Sequence, residues 1–236
     1  MPTAREVLLD AALSALATLP WTSVRMVDVA SAAGVSRQTL HNEFGGKDGL
    51  ARALVRDAVD GYLAGVERAL GTAGGTADRL AATAAWTVRA VRTNVLVKAL
   101  LTGCWNERLP RPGPLVAGCP DPLPGPRSAD PGPPTPAELL RRAGERAVAA
   151  LDSERAVAAL DGEGPPHDPE ALAMTCEIAL RLALSYALVP APSGTGGEPA
   201  PLVRHVVARA PDAVSGTSPT AGARSPRGSP GRSTPA

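Results

Sequence analysis

The chain has 236 residues, 24 Lys or Arg against 23 Asp or Glu for a formal net charge of +1, and 3% aromatic residues. That length holds a small domain and a larger one with its own core, while three cysteines (Cys104, Cys119 and Cys176) without CxxC spacing argue against a disulfide framework. Glu6 and Asp10 stand where a signal peptide is apolar, and no uncharged apolar run reaches membrane-spanning length, so a cytoplasmic protein with no membrane partner is expected.

Thr3 and Glu6 have capping-box spacing, and Val7, Leu8, Ala11, Ala12, Ala15, Leu16 and Leu19 recur on one helical face that ends near Pro20. Arg5 reads as a solvated surface cation and Trp21 as a core plug. Residues 24–50 carry the most information. Val29, Ala30 and Ala33 form the inner face of a short helix, and Gly34 is suited to the left-handed conformation that ends it. Val35 drops into the corner, and Ser36 caps a helix beginning at Arg37. Leu40 and Phe44, four apart, anchor that helix, which turns Gln38 and Asn42 outward with Thr39 and His41 on the flanks.

A polar, weakly charged outer face suits base reading in the major groove, where Gln or Asn makes two bonds to adenine and Arg does the same with guanine. Arg37, Gln38, Thr39 and Asn42 are the candidates for base edges. Thr22, Ser23, His41 and Lys47 are the candidates for phosphates, which set register without reading sequence. Lys47 opens the next helix, so its charge and that helix's N-terminus favour the same anion.

At Val29-Ala30, Ala33-Gly34-Val35-Ser36, Thr39-Leu40, Phe44, Lys47 and Leu50 the chain resembles the TetR family of bacterial transcriptional regulators. The resemblance implies an all-helical homodimer with an N-terminal three-helix DNA-binding domain and a larger C-terminal domain that binds a small molecule. Two residues depart from the family's pattern. His41 stands where the family usually has Tyr, which would make a phosphate contact there pH-sensitive. Arg25 stands where the family often caps the second helix with Thr, leaving Thr22 or Ser23 as caps. Across residues 1–70 seven Lys or Arg face eight Asp or Glu, so the head must gather Arg25, Arg37, Lys47 and Arg52 on one side and double them by dimerising.

A longer helix then runs from Lys47 to about Leu70, a lever between head and body. Residues 76–103 read as one helix bent near Asn94, with Leu80, Ala84, Val88, Val91, Val95, Leu96 and Leu100 inward. Trp86, Leu100 and Trp105, with Leu180 and Leu184 further on, are the candidates for lining a ligand cavity, and Trp86 and Trp105 read equally well as plain core. Residues 110–136 hold eleven prolines, too many for a regular helix, and read as an extended loop. ERAVAALD occurs twice, from Glu145 and from Glu154. Nine residues are two and a half turns, so one copy is expected to pack while the other extends or bends away. Leu172, Met174, Ile178, Leu180, Leu182, Leu184, Tyr186 and Leu188 leave a narrow polar stripe of Glu177, Arg181 and Ser185, as in a helix buried on both sides. With Leu202, Val203, Val206, Val207 and Ala210 they make residues 168–210 the expected homodimer contact, and in the resembled family the last two helices form a four-helix dimer bundle. Residues 211–236 contain no Leu, Ile or Phe and are expected to be a disordered tail.

The expected architecture is therefore all-α: a helix-turn-helix domain over residues 1–49, a helical ligand-binding and dimerisation domain over 50–210, and the tail. The expected function is a sequence-specific regulator, a repressor of a palindromic operator on double-stranded DNA that a small apolar effector releases. The alternative is a helical interaction protein that has kept the corner and lost DNA binding, for which the acidic balance of the head, with Glu43 near the groove, is the best support. His41, His167 and His205 are scattered, and the sequence has no metal-ligand spacing, phosphate loop or nucleophile elbow. Neither catalysis nor a metal nor a cofactor is expected.

Overall fold

Thr3 begins the first helix as its spacing requires. In the computed structural model, which describes residues 2–110, 132–160, 169–189 and 198–214 and the side chains of all these but 154–160 and 210–214, it caps α1 (Ala4–Thr18). Its hydroxyl accepts the Glu6 N–H at 3.2 Å and its own N–H donates to the Glu6 carboxylate at 2.7 Å. Those bonds, the backbone one first, hold the Glu6 carboxyl below its ordinary range. Leu8, Leu9, Ala12 and Leu16 are the buried row.

A 3-10 turn, Trp21–Ser23, leads to α2 (Met26–Ala32) and then to α3 (Arg37–Phe44). Neither Thr22 nor Ser23 caps α2. Both belong to the 3-10 turn, and the residue at the cap position is Arg25, whose side chain makes no capping bond. After α3 comes α4 (Lys47–Leu70), 24 residues, or about 36 Å at 1.5 Å per residue.

The run over residues 76–103 is two helices rather than one bent helix: α5 (Thr76–Thr93) and α6 (Val95–Thr102). Asn94 ends the first and starts the second. Its N–H closes α5 on the Ala90 carbonyl at 3.0 Å, and its side-chain oxygen accepts the Leu96 and Val97 N–H groups at 2.9 and 3.2 Å. An Asn oxygen this close to free N–H groups is a strong reason to restart a helix rather than bend it.

The remaining helices are α7 (Pro136–Leu160), α8 (Pro169–Leu188) and α9 (Ala200–Val214). α9 continues through Val214, past the expected start of the tail. The ERAVAALD copies share α7 as far as Leu160, with Ala147 and Leu151 of the first copy buried. Residues 111–131 of the Pro/Gly-rich stretch, with Cys119, lie outside the described residues, as do His167 and Asp168, residues 190–197 and the tail from 215.

All regular structure among the described residues is helical. α5 is the centre of the body, packed against α4, α6, α8 and α9, while α7 closes over α4, α6 and α8. α4 also touches α1 and α3, so it belongs to head and body alike. Its register against α5 is marked by two polar contacts at Tyr62. Tyr62, only 1% exposed, places its hydroxyl 3.2 Å from that of Thr87, and Trp86 donates its indole N–H to the Tyr62 carbonyl at 3.1 Å. Burial pushes the Tyr62 phenol up to about 12. By length and composition α8 is apolar enough to cross a membrane. In this fold its Leu172, Cys176, Ala179, Leu180 and Ala183 row is buried, and Glu177 and Arg181 pair at 2.7 Å on its outer side.

Candidate nucleic-acid interface

The corner between α2 and α3 turns on Gly34, at φ +67°, a conformation in which a Cβ meets the backbone. Two bonds close the corner: Gly34 N–H to the Ser31 carbonyl at 3.1 Å and Val35 N–H to the Ala30 carbonyl at 3.0 Å. Val35 is half-buried against the core. Ser36 then starts α3 by accepting the Thr39 N–H at 3.0 Å, and Leu40 and Phe44 are buried at 1% and 8% exposure. This anchoring fixes the rotation of α3 and leaves Arg37, Gln38, His41 and Asn42 on the exposed side.

Gln38 donates to the Asn42 side-chain oxygen at 2.8 Å, so the two amides are linked on the outer face. Thr39 is half-buried, and its hydroxyl lies 2.8 Å from that of Ser36, part of the cap rather than free on the surface. Thr22 and Ser23 are exposed on the 3-10 turn. Lys47 joins them: its ammonium donates to the Thr22 carbonyl at 3.2 Å and stands 5.1 Å from the Trp21 ring centre. An ammonium has three donors, so this bond leaves Lys47 capacity for an anion.

Arg5 is not merely solvated. Its guanidinium lies 4.9 Å from the Phe44 ring centre and 3.9 Å from the Glu43 carboxylate, so the start of α1 props the end of α3 and partners the one acid on α3. At the next junction Gly49 packs so closely that a Cβ there would run into the Phe44 carbonyl. The near-neutral head also sorts its charge. Asp57 is pushed up from the ordinary carboxylate range by loss of water and by Asp10 and Asp60 beside it, which gathers acid between α1 and α4 rather than on α3.

Residues 8–54 match the profile described as "Bacterial regulatory proteins, tetR family". The N-terminal head is a TetR-family domain. An HTH-type transcriptional regulator, AlkX, of Mycobacterium tuberculosis is 41% identical over 66 residues, which are 28% of this chain and 31% of that protein. The matched stretch thus spans under a third of the curated relative. Two solved structures share the fold over most of the chain. A TetR/AcrR-family regulator from Thermobifida fusca has a TM-score of 0.50 at 16% identity, over 87% of this chain and 95% of its own. A tetR-family regulator from Streptomyces coelicolor has a TM-score of 0.50 at 22% identity, over 91% and 83%.

Behind the TetR-type head, the residues expected to line one ligand cavity are not gathered in one place. A groove of about 610 Å³ lies between α7 and α8, lined by Leu140, Gly144, Val148, Ala173 and Leu180 and rimmed by the Arg141–Glu145 and Glu177–Arg181 pairs. Leu180 is the expected residue that lines it. Leu100 is fully buried, Trp105 and Leu184 are half-buried against the core, and Trp86 is engaged by Tyr62 and flanked by Arg68 and Arg89 at 5.4 and 5.5 Å. Two features of the head escaped the sequence reading. Val27 is 52% exposed on α2, which the phase of Val29 and Ala30 on a short helix implies. The bonds that join Arg108 to Trp21 and to Thr18 leave no local sequence signal.

Proposed function

We propose that the chain is a sequence-specific DNA-binding transcriptional regulator that acts as a homodimer and represses until a small apolar effector binds. The observation that carries this reading is the outer face of α3: Arg37, Gln38, His41 and Asn42 stand exposed on a helix whose inner face is locked by Leu40 and Phe44. In this reading Arg37, Gln38 and Asn42 meet base edges, Thr39 serves mainly by completing the Ser36 cap, and Thr22, Ser23, His41 and Lys47 meet phosphates.

The head over residues 1–49 reads, and the body over 50–210, extended to Val214 by α9, senses and dimerises. An apolar strip on α8 and α9 supports the dimer. Met174, Ile178, Leu188 and Leu202 are 60%, 37%, 54% and 38% exposed, an unusual surface for a monomer. Two heads related by a two-fold axis suit half-sites about 34 Å apart on a palindromic operator. The groove between α7 and α8, apolar below and charged at its rim, suits a small apolar body with a polar end. An effector releases DNA only by favouring a state with the wrong head separation, so it must bind the two states unequally.

The test is a mobility shift of the full chain on DNA from upstream of its own gene, at several salt concentrations. A discrete shift that weakens as salt rises is expected. No salt-sensitive shift at micromolar dimer removes the DNA-reading assignment and leaves the interaction-protein alternative.

A further inference from the structure

α4 is the covalent lever between body and head, but a single helix fixes only one axis, and a head held by it alone can turn about the junction at Gly45 and Gly46. A second attachment comes from residues 103–109, which leave the end of α6. The Arg108 carbonyl accepts the Trp21 N–H at 2.8 Å, and the Arg108 guanidinium reaches the Thr18 carbonyl at 3.4 Å. The two bonds span 87 and 90 residues of sequence and land on either side of Pro20.

Both acceptor and donor sites need such a partner. Thr18 is the last residue of α1, where carbonyls lack helical partners and the helix dipole is negative, and α1 has no basic residue in its own last turn. Arg108 supplies that cation from a distant part of the chain. The strap is rigid enough to transmit position. The Asn106 side-chain oxygen accepts the Arg108 N–H at 3.0 Å, Leu109 N–H returns to the Asn106 carbonyl at 3.1 Å, and Trp105 and Leu109 both pack on the core.

What the strap holds is the base of the reading helix. The Trp21–Ser23 turn leads directly into α2, and Lys47, three residues after Phe44, binds the Thr22 carbonyl and covers the Trp21 ring. We propose that Arg108 is a positioning residue for DNA reading: through Thr18 and Trp21 it fixes the angle of the head relative to the body, and hence the separation of the two recognition helices. The inference rests on the DNA-reading function proposed above. α6 packs against α7, which forms one wall of the groove, so the strap also gives a groove occupant a mechanical route to the head.

The experiment uses the full-length chain and palindromic duplexes recovered by selection from a random pool with the wild-type protein, then rebuilt with one base pair added or removed at the dyad. The wild type is expected to prefer one spacing by at least about tenfold. Arg108→Ala is expected to lower affinity at that spacing about fivefold while flattening the spacing preference, and Arg108→Lys, which keeps a cation at the α1 C-terminus, to restore most of the preference. Amide exchange at Trp21 is expected to speed about tenfold in Arg108→Ala. An unchanged spacing profile in Arg108→Ala overturns the proposal. So does a uniform loss on all spacings that tracks unfolding by circular dichroism and is not relieved in Arg108→Lys. If the wild type selects no DNA, the DNA-reading function fails instead, and the Trp21 exchange rate alone decides whether Arg108 holds the head.

Discussion

Gln38 and Asn42 differ from Lys47 in what each is able to distinguish. An amide presents a donor and an acceptor in one plane and so separates adenine from other bases, whereas an ammonium bound beside the Thr22 carbonyl offers only charge. Gln38→Ala or Asn42→Ala is expected to cost about 1–3 kcal/mol on the preferred duplex and little on others, flattening specificity. Lys47→Ala is expected to weaken every duplex alike and lower the salt slope by about one. Binding isotherms on a preferred and a scrambled duplex separate the two, and interchanged outcomes refute the assignment of contacts. Tyr62 carries a residue-scale prediction for stability. Its phenol ionises near 10 when unfolded and about 12 when folded, so between those values the unfolded state alone has lost the proton. Stability is therefore expected to fall as pH rises from 10 towards 12, and Tyr62→Phe to remove that slope in denaturant melts. At this scale the inward and outward sides of α3 were legible from Leu40 and Phe44 alone, because helix geometry turns two anchors into a full rotation. The engagement of Lys47 with Trp21, of Arg5 with Phe44 and of Thr39 with Ser36 was not, because a side chain's partner across the fold leaves no mark on periodicity.

Between elements, junctions decide where side chains are delivered. Ser36 is the start signal of α3, accepting the Thr39 N–H and meeting the Thr39 hydroxyl, and Ser36→Ala is expected to cost about 1 kcal/mol of head stability by thermal melting. The α3–α4 junction is tighter still. Gly49→Ala would force a Cβ into the Phe44 carbonyl, so about 1–3 kcal/mol is expected to be lost through displaced backbone. Because Phe44 anchors α3, operator affinity is expected to fall further than the stability change alone accounts for, which paired melts and binding isotherms check. The start of α1 and the α2–α3 corner are legible because Thr3, Ser36 and Gly34 are local signals, whereas the start of α2 is not, since Arg25 at its cap position makes no capping bond. Asn94 reads as a bend in the sequence because the apolar pattern runs unbroken through it, and pattern does not reveal that one side chain accepts two backbone N–H groups. The end of α9 is not legible for a related reason: few apolar residues follow Ala210, yet the helix carries on to Val214.

For the whole molecule, the proposed function depends on two heads being held at one separation, which the body would supply through its surface. The exposed strip at Met174, Ile178 and Leu188 lies on the side of α8 away from its buried Leu172, Cys176 and Ala183 row, since residues four apart share a face and the two sets differ by roughly half a turn. The apolar run of α8 predicts a helix covered on both sides, whereas within one chain only the Leu172, Cys176 and Ala183 side is covered, and the sequence does not show which side that is. A charge in the middle of the strip separates the two roles. Ile178 is 37% exposed, so Ile178→Lys adds a solvated cation to a monomer at little cost but would bury it without a fixed partner at a two-fold contact, which repeats the cation on both subunits. A loss of about 2–4 kcal/mol in association is expected by analytical ultracentrifugation, with the thermal melt of the monomer nearly unchanged. Operator affinity is expected to fall with it, towards the weak, salt-sensitive binding of a single head, because each half-site then binds without the other. A variant that stays dimeric at nanomolar concentration would place the two-fold contact on another face, and would move the separation of the heads with it.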